Sequence, residues 1–170
     1  AKISKIERVA PFKGRGDDVD IIFDLMIHDY DLLNLLGYGV PLKIEAWGQS
    51  LHTKAIDYCT SKITFEDKVA FVTASRSNVI ERRNAEFTMG DGVLEVDFLN
   101  SEVRRSFSNK ESIVKRFEKR DHLMEEHKLF KNSIQNGSDS EVGYDVGHFA
   151  MKMLNLTKKS ILEQRQVDWR

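Results

Sequence analysis

A chain of 170 residues, 41% hydrophobic and 31% charged, holds enough apolar material for one ordinary core and too little for two, so a single domain over 1–170 is expected. Lys+Arg 26 against Asp+Glu 27, a net charge of -1, leaves no positive excess to draw a nucleic-acid polymer or a membrane surface, and no apolar run approaches the roughly 20 residues of a bilayer span. The single Cys59 excludes an internal disulfide and a Cys-rich zinc site; with no apolar signal core among the first residues, the default compartment is the reducing cytoplasm.

Ile3, Ile6 and Val9 stand among polar neighbours over 2–9 and lead into Pro11, which predicts a strand. A Gly-rich, charged loop over 13–18 follows. Its Gly14-Arg15-Gly16 lacks the third glycine of a dinucleotide loop, and no Walker-type Gly-Lys-Ser/Thr occurs, so no nucleotide-binding fold is expected. The short apolar run 19–23 leads into a predicted helix over 24–36, with Gly37 as a left-handed cap and Pro41 close behind. Leu25, Leu32 and Leu36 are expected to fasten this helix to a sheet.

The period then changes from 3.6 to 2. Runs rich in Val, Ile, Phe and Thr cover 42–49, 55–65, 68–77, 82–89, 93–99 and 102–107. Glu66-Asp67 and Gly90-Asp91-Gly92 have the length and residue types of hairpin turns. These runs predict an α+β fold with a large open, mostly antiparallel, meandering sheet of about six strands and helices packed on one face. Along 68–77, Val69, Phe71, Thr73 and Ser75 alternate with Ala70, Val72, Ala74 and Arg76, so both faces carry apolar residues and a partner subunit or second domain is expected on the other. Helices are predicted over 121–136, ended by Gly137, and over 142–164, with Ser138-Asp139-Ser140-Glu141 supplying N-cap chemistry between them.

Asp24 and His28 are four residues apart. On a helix they stack one turn above the other, where the carboxylate can orient the imidazole as an acid/base device. The plainer alternative is that Asp24 caps the helix and His28 packs half-buried. His28-Asp29 with Asp31 also resembles the His-Asp pair of metal-dependent phosphohydrolases, but His52, His122, His127 and His148 are scattered, and no metal site is expected. Arg15, between two glycines, can clamp a carboxylate or phosphate, or simply be solvated. Arg76, Arg82 and Arg83 near strand ends read as surface or subunit contacts, Trp47 and Trp169 as packing or interface anchors, and the basic 115–120 cluster as a solvated face.

Arg8-Val9-Ala10-Pro11-Phe12, then Arg15, then Val19-Asp20, then Asp24-Leu25-Met26-Ile27-His28-Asp29-Tyr30-Asp31-Leu32-Leu33 resembles the C-terminal domain of the Gfo/Idh/MocA oxidoreductases, most of all the MviM-like sugar-nucleotide dehydrogenases. The likeness continues through 69–76 and 90–97 and loosens after Asn100. It implies an N-terminal Rossmann domain, a C-terminal open sheet whose exposed face makes dimer or tetramer contacts, and a sugar or sugar nucleotide held between the two. It further implies His28 as acid/base on the hydroxyl being oxidised, Asp24 as its orienting and substrate-binding neighbour, and Arg15 as a substrate contact. The cofactor would be NAD or NADP in a full-length parent, with none expected on this chain, because the Gly-rich loop and the Glu-Lys-Pro motif of the nucleotide half are absent from it. A missing stretch of ~120–150 residues fits that half, and the chain by itself is expected to be inactive. The alternative reading is a non-catalytic dimerisation or binding module that uses the open face of the sheet.

Overall fold

The computed structural model describes residues 1–14, 18–138 and 143–170. All the period-2 runs form strands. β1 (Ile3–Val9), β2 (Lys43–Gln49), β3 (Tyr58–Thr64), β4 (Val69–Ser75), β5 (Arg82–Met89), β6 (Gly92–Asp97), β7 (Glu102–Phe107), β8 (Ile113–Arg116) and β9 (Val167–Asp168) make a nine-stranded sheet in the order β8-β7-β6-β5-β1-β4-β3-β2-β9. The sheet is open, mixed and mostly antiparallel, with more strands than the sequence predicts. β8 is four residues long and exposed throughout, and β9 is two residues long, so neither is long enough to show a period.

β1 organises the rest. It pairs in parallel with β4 and antiparallel with β5, joining two meanders, β2 to β4 and β5 to β8, which would otherwise be separate. Ile6 stands opposite both Val72 and Ala85, and all three are buried. The same register puts Lys5, Phe71 and Glu86 on the opposite face. That face is more polar than the alternation in 68–77 predicts. It carries ion pairs Lys5–Glu86 (3.0 Å), Arg82–Glu7 (2.9 Å) and Arg116–Glu102 (2.9 Å), with Trp47, Tyr58 and Phe71 among its exposed apolar groups. Between β5 and β6 the chain turns at Gly92, whose φ is 149° and where a Cβ would lie 2.0 Å from the Ser106 carbonyl oxygen.

On the other face a π-helical segment (Ile22–Met26), which runs into α1 (Ile27–Leu35), packs on β4, and α3 (Tyr144–Glu163) packs on β2 and β9. Ile22, Met26, Tyr30 and Leu33 are buried, whereas Leu36, expected to fasten the helix, is 48% exposed. The helix ends as its sequence predicts, with Gly37 left-handed (φ 69°) and the Tyr38 N–H donating to the Leu33 carbonyl at 3.2 Å. Inside the core, hydroxyls tie three elements together: Tyr30 Oη lies 2.9 Å from Ser61 Oγ and 2.6 Å from Thr157 Oγ1. Burial pushes the Tyr30 phenol well above its ordinary value, so it stays a neutral donor. Along the β2 edge beyond β9, the Ala46 N–H donates to Ser160 Oγ of α3 at 3.0 Å, satisfying a backbone group the sheet leaves open.

α2 (His122–Asn136) has no buried residue; Asp121 caps it by accepting from the Met124 N–H (3.0 Å), and Gly137 (φ 61°) closes it. Of the expected 138–141 cap, Asp139, Ser140 and Glu141 lie outside the described residues, and the residue at the N-cap of α3 is Gly143. Among the described residues, no helix is long and apolar enough to cross a membrane.

Candidate functional site

The C-terminal ends of the parallel strands β1 and β4 lie side by side, and the chain leaves both at the same end of the sheet. The segment after β1, the 50–57 loop before β3 and the segment after β4 converge there, joined by main-chain hydrogen bonds. The Asn78 N–H donates to the Ala10 carbonyl (3.1 Å), the Arg76 N–H to Asp57 (3.0 Å) and the Ile21 N–H to Ile56 (2.9 Å). The π-helical segment with Asp24 and the start of α1 with His28 rise from this end. Phe12 and His52 stack across it with ring centroids 4.9 Å apart.

Asp24 and His28 are both exposed, so each is open to a reactant. No hydrogen bond or ion pair joins them among the described residues. Asp24 lies within the π-helical turn, where the α-helical spacing that predicts direct contact does not hold. Its Oδ2 stands instead 3.9 Å from Arg76 Nη2. Arg15 falls outside the described residues.

Arg76 is the site residue that a surface or subunit-contact reading misses. Its side chain is only 8% exposed, its Nη2 donates to the Val19 carbonyl at 2.8 Å, and its Nε lies 3.7 Å from Asp57 Oδ1. The signal was in the alternation itself: Arg76 continues the phase of Ala70, Val72 and Ala74, all buried, so its guanidinium starts from the core face. Asp57 is held firmly. Its Oδ2 accepts from the Leu51, His52 and Thr53 N–H groups at 2.9, 2.7 and 2.9 Å, and its Oδ1 accepts from Thr53 Oγ1 at 3.0 Å. Burial pulls the Asp57 carboxyl upward, but the backbone donors outweigh it and bring it down to about 2, so Asp57 is a fixed negative charge.

Asp29, next to His28, is committed elsewhere. Arg8 Nε donates to both of its oxygens at 3.1 Å and Arg8 Nη2 to Oδ1 at 2.8 Å, with Asp29 3% exposed. That bidentate pair locks α1 to β1 and removes Asp29 from any metal-binding role with His28. Of the other arginines, Arg82 pairs with Glu7 on the open face as expected of a surface residue, while Arg83 lies over the Phe98 ring at 5.3 Å.

Among the described residues, internal hydrogen bonds already take up the helix entry. A pyrophosphate needs free N–H groups at a helix N-terminus. Here the Ile21 N–H is used by Ile56, and the Phe23 and Asp24 N–H groups donate to the Asp20 carbonyl at 3.0 and 3.2 Å. The Asp20 side chain accepts from the Ile56 N–H at 2.9 Å and pairs with Lys158 Nζ at 2.7 Å. Burial opposes its charge, but Lys158, the Ile56 N–H and Arg76 prevail and hold its carboxyl below the ordinary value.

No family model matches the chain. Over 96 residues, 56% of this chain and 31% of its relative, it is 41% identical to UDP-N-acetylglucosamine 3-dehydrogenase of Acidithiobacillus ferrooxidans. The solved structure of UDP-N-acetylglucosamine 3-dehydrogenase from that organism superposes with a TM-score of 0.86 at 30% identity, over 94% of this chain and 53% of that one. Two others share the fold at low identity. A putative NADPH-dependent oxidoreductase from Desulfitobacterium hafniense has a TM-score of 0.82 at 18% identity over 99% of this chain and 56% of its own. An oxidoreductase from Agrobacterium radiobacter, in complex with NAD+, L-tartaric acid and magnesium, has a TM-score of 0.82 at 12% identity over the same shares, 99% and 56%. The chain thus spans about half the length of these solved structures. The structure neighbours that cover this chain are thus oxidoreductases of the Gfo/Idh/MocA type, and the match is that of a C-terminal part of such an enzyme.

Proposed function

We propose that residues 1–170 are the substrate-binding and oligomerisation half of an NAD(P)-dependent dehydrogenase that oxidises a hydroxyl of a sugar, most specifically a nucleotide-linked sugar. The observation that carries this reading is an exposed Asp24 and an exposed His28 on one helix entry at the loop end of the sheet, in a chain 41% identical over 96 residues to a UDP-N-acetylglucosamine 3-dehydrogenase. The nicotinamide would supply the hydride acceptor and would be held by a nucleotide-binding half.

In this reading the His28 imidazole takes the proton from the substrate hydroxyl as the carbon is oxidised. An imidazole suits the task because its ordinary pKa lies near neutrality. Asp24 accepts a hydrogen bond from a substrate hydroxyl and so holds it for His28. Arg15 contacts the substrate. The chain alone has the proton acceptor without the hydride acceptor, and is inactive. In the intact two-domain enzyme, His28→Ala should lower kcat by about a hundredfold with cofactor affinity little changed; near-normal turnover would refute the role.

The open face of the sheet is proposed to join copies of the chain as a homodimer or tetramer. Trp47, Tyr58 and Phe71 would be covered there, and the ion pairs of that face would set the register. Sedimentation of the chain at micromolar concentration tests this, and a stable monomer would count against it.

A further inference from the structure

We propose that Arg76 is a positioning residue that sets the direction of the Asp24 carboxylate, and so of the substrate hydroxyl presented to His28; this rests on the reading of Asp24 and His28 as the working pair. The guanidinium is the fixed partner and the carboxylate the adaptable one. Arg76 is 8% exposed, is hydrogen-bonded to the Val19 carbonyl and faces the rigid Asp57 carboxylate at 3.7 Å, whereas the Asp24 side chain is 44% exposed and stands 3.9 Å from Arg76 Nη2. A half-exposed carboxylate beside a buried, immobile positive charge is pulled to one side of its range.

A purely structural arginine would be expected to fill its donors. Arg76 Nε and Nη1 are buried and have no hydrogen-bond partner among the described residues, and the 3.7 Å from Nε to Asp57 is too long for a hydrogen bond. Asp24 stands off the third nitrogen, Nη2, which also donates to the Val19 carbonyl, so what draws the movable carboxylate is the charge of the guanidinium across 3.9 Å. Arg76 also reports on both loops, because its N–H is bound to the Asp57 carbonyl and its side chain to Val19. A shift of either loop is therefore passed to Asp24.

Two measurements test this. In the 170-residue chain, the side-chain Nε–H of a buried, immobile arginine gives a slowly exchanging nitrogen-15 NMR signal. That of Arg76 should move in Asp24→Asn, an exposed substitution that keeps the fold, and stay in place in Asp145→Asn on the remote α3; an unmoved signal in Asp24→Asn overturns the proposal. In the intact two-domain enzyme, Arg76→Gln should lower kcat about tenfold to a hundredfold with KM changed less than about threefold. Arg76→Lys should restore part of the loss, and Arg76→Gln added to Asp24→Asn should cost less than about threefold more. Equal losses in both backgrounds, or a loss confined to KM, would overturn the positioning role while leaving the Asp24/His28 chemistry standing. A harmless Asp24→Asn would overturn that chemistry and, with it, Arg76 as its positioning residue, whatever the NMR signal shows.

Discussion

The Arg8–Asp29 pair is where the fold and the site are joined, and Asp29→Asn is the sharpest perturbation of that joint. The substitution keeps the side chain's size and removes its charge. Arg8, with 15% of its side chain exposed, then keeps a guanidinium that has lost its counter-charge, and the bidentate geometry of three donor contacts is lost. Arg83 makes matters worse. Burial first and repulsion from Arg8 second already pull its guanidinium below its ordinary value, and Asp29 is the charge that offsets them. Breaking a buried ion pair by removing one partner costs about 3–5 kcal/mol, which for a chain of this length is a fall in Tm of about 6–20 °C. Urea unfolding followed by circular dichroism measures it. The double variant Arg8→Met with Asp29→Leu, which leaves no charge stranded, should recover much of the loss. A loss below about 1 kcal/mol for Asp29→Asn would show that the pair behaves as a surface ion pair and does not anchor the helix.

Asp57 gives the chain an acid-sensitive loop. Its carboxyl is lowered to about 2 from an ordinary 3.8, so its contribution, about 2 kcal/mol, is fully present above pH 4 and lost as pH falls through the window between these values. Asp57→Asn should flatten the stability profile in that window, and an unchanged profile would remove Asp57 as the cause. Gly92→Ala meets the Ser106 carbonyl oxygen at 2.0 Å with φ at 149°, so it should cost about 2–4 kcal/mol in chemical unfolding. A cost under about 0.5 kcal/mol would show that the hairpin tolerates a side chain there.

What the sequence reveals here follows the range of its physical signals. Hairpins joined by Glu66-Asp67 and Gly90-Asp91-Gly92 are local, and both are formed between the strands expected. The Gly37 and Gly137 caps are equally local and hold. The insertion of β1 between β4 and β5 is a pairing between distant segments, for which alternation within a strand carries no signal. The π-helical turn at Ile22–Met26 is likewise silent, since the Asp24-x-x-x-His28 spacing reads as α-helix until the backbone is seen. Arg8 and Arg76 were legible in principle. Each lies in phase with buried neighbours of its strand, Ser4 and Ile6 for Arg8, and Ala70, Val72 and Ala74 for Arg76, and a charge in that phase calls for a buried partner.

The central claim is that the Asp24/His28 end of the sheet receives a nucleotide-linked sugar, and amide chemical-shift mapping tests it on the chain itself. Titrating UDP-N-acetylglucosamine into the nitrogen-15-labelled protein should move the signals of Asp24, His28 and Arg76 together and leave Lys5, Phe71 and Glu86 on the open face unmoved. Shifts confined to the open face, or a spectrum that does not respond, would contradict the account.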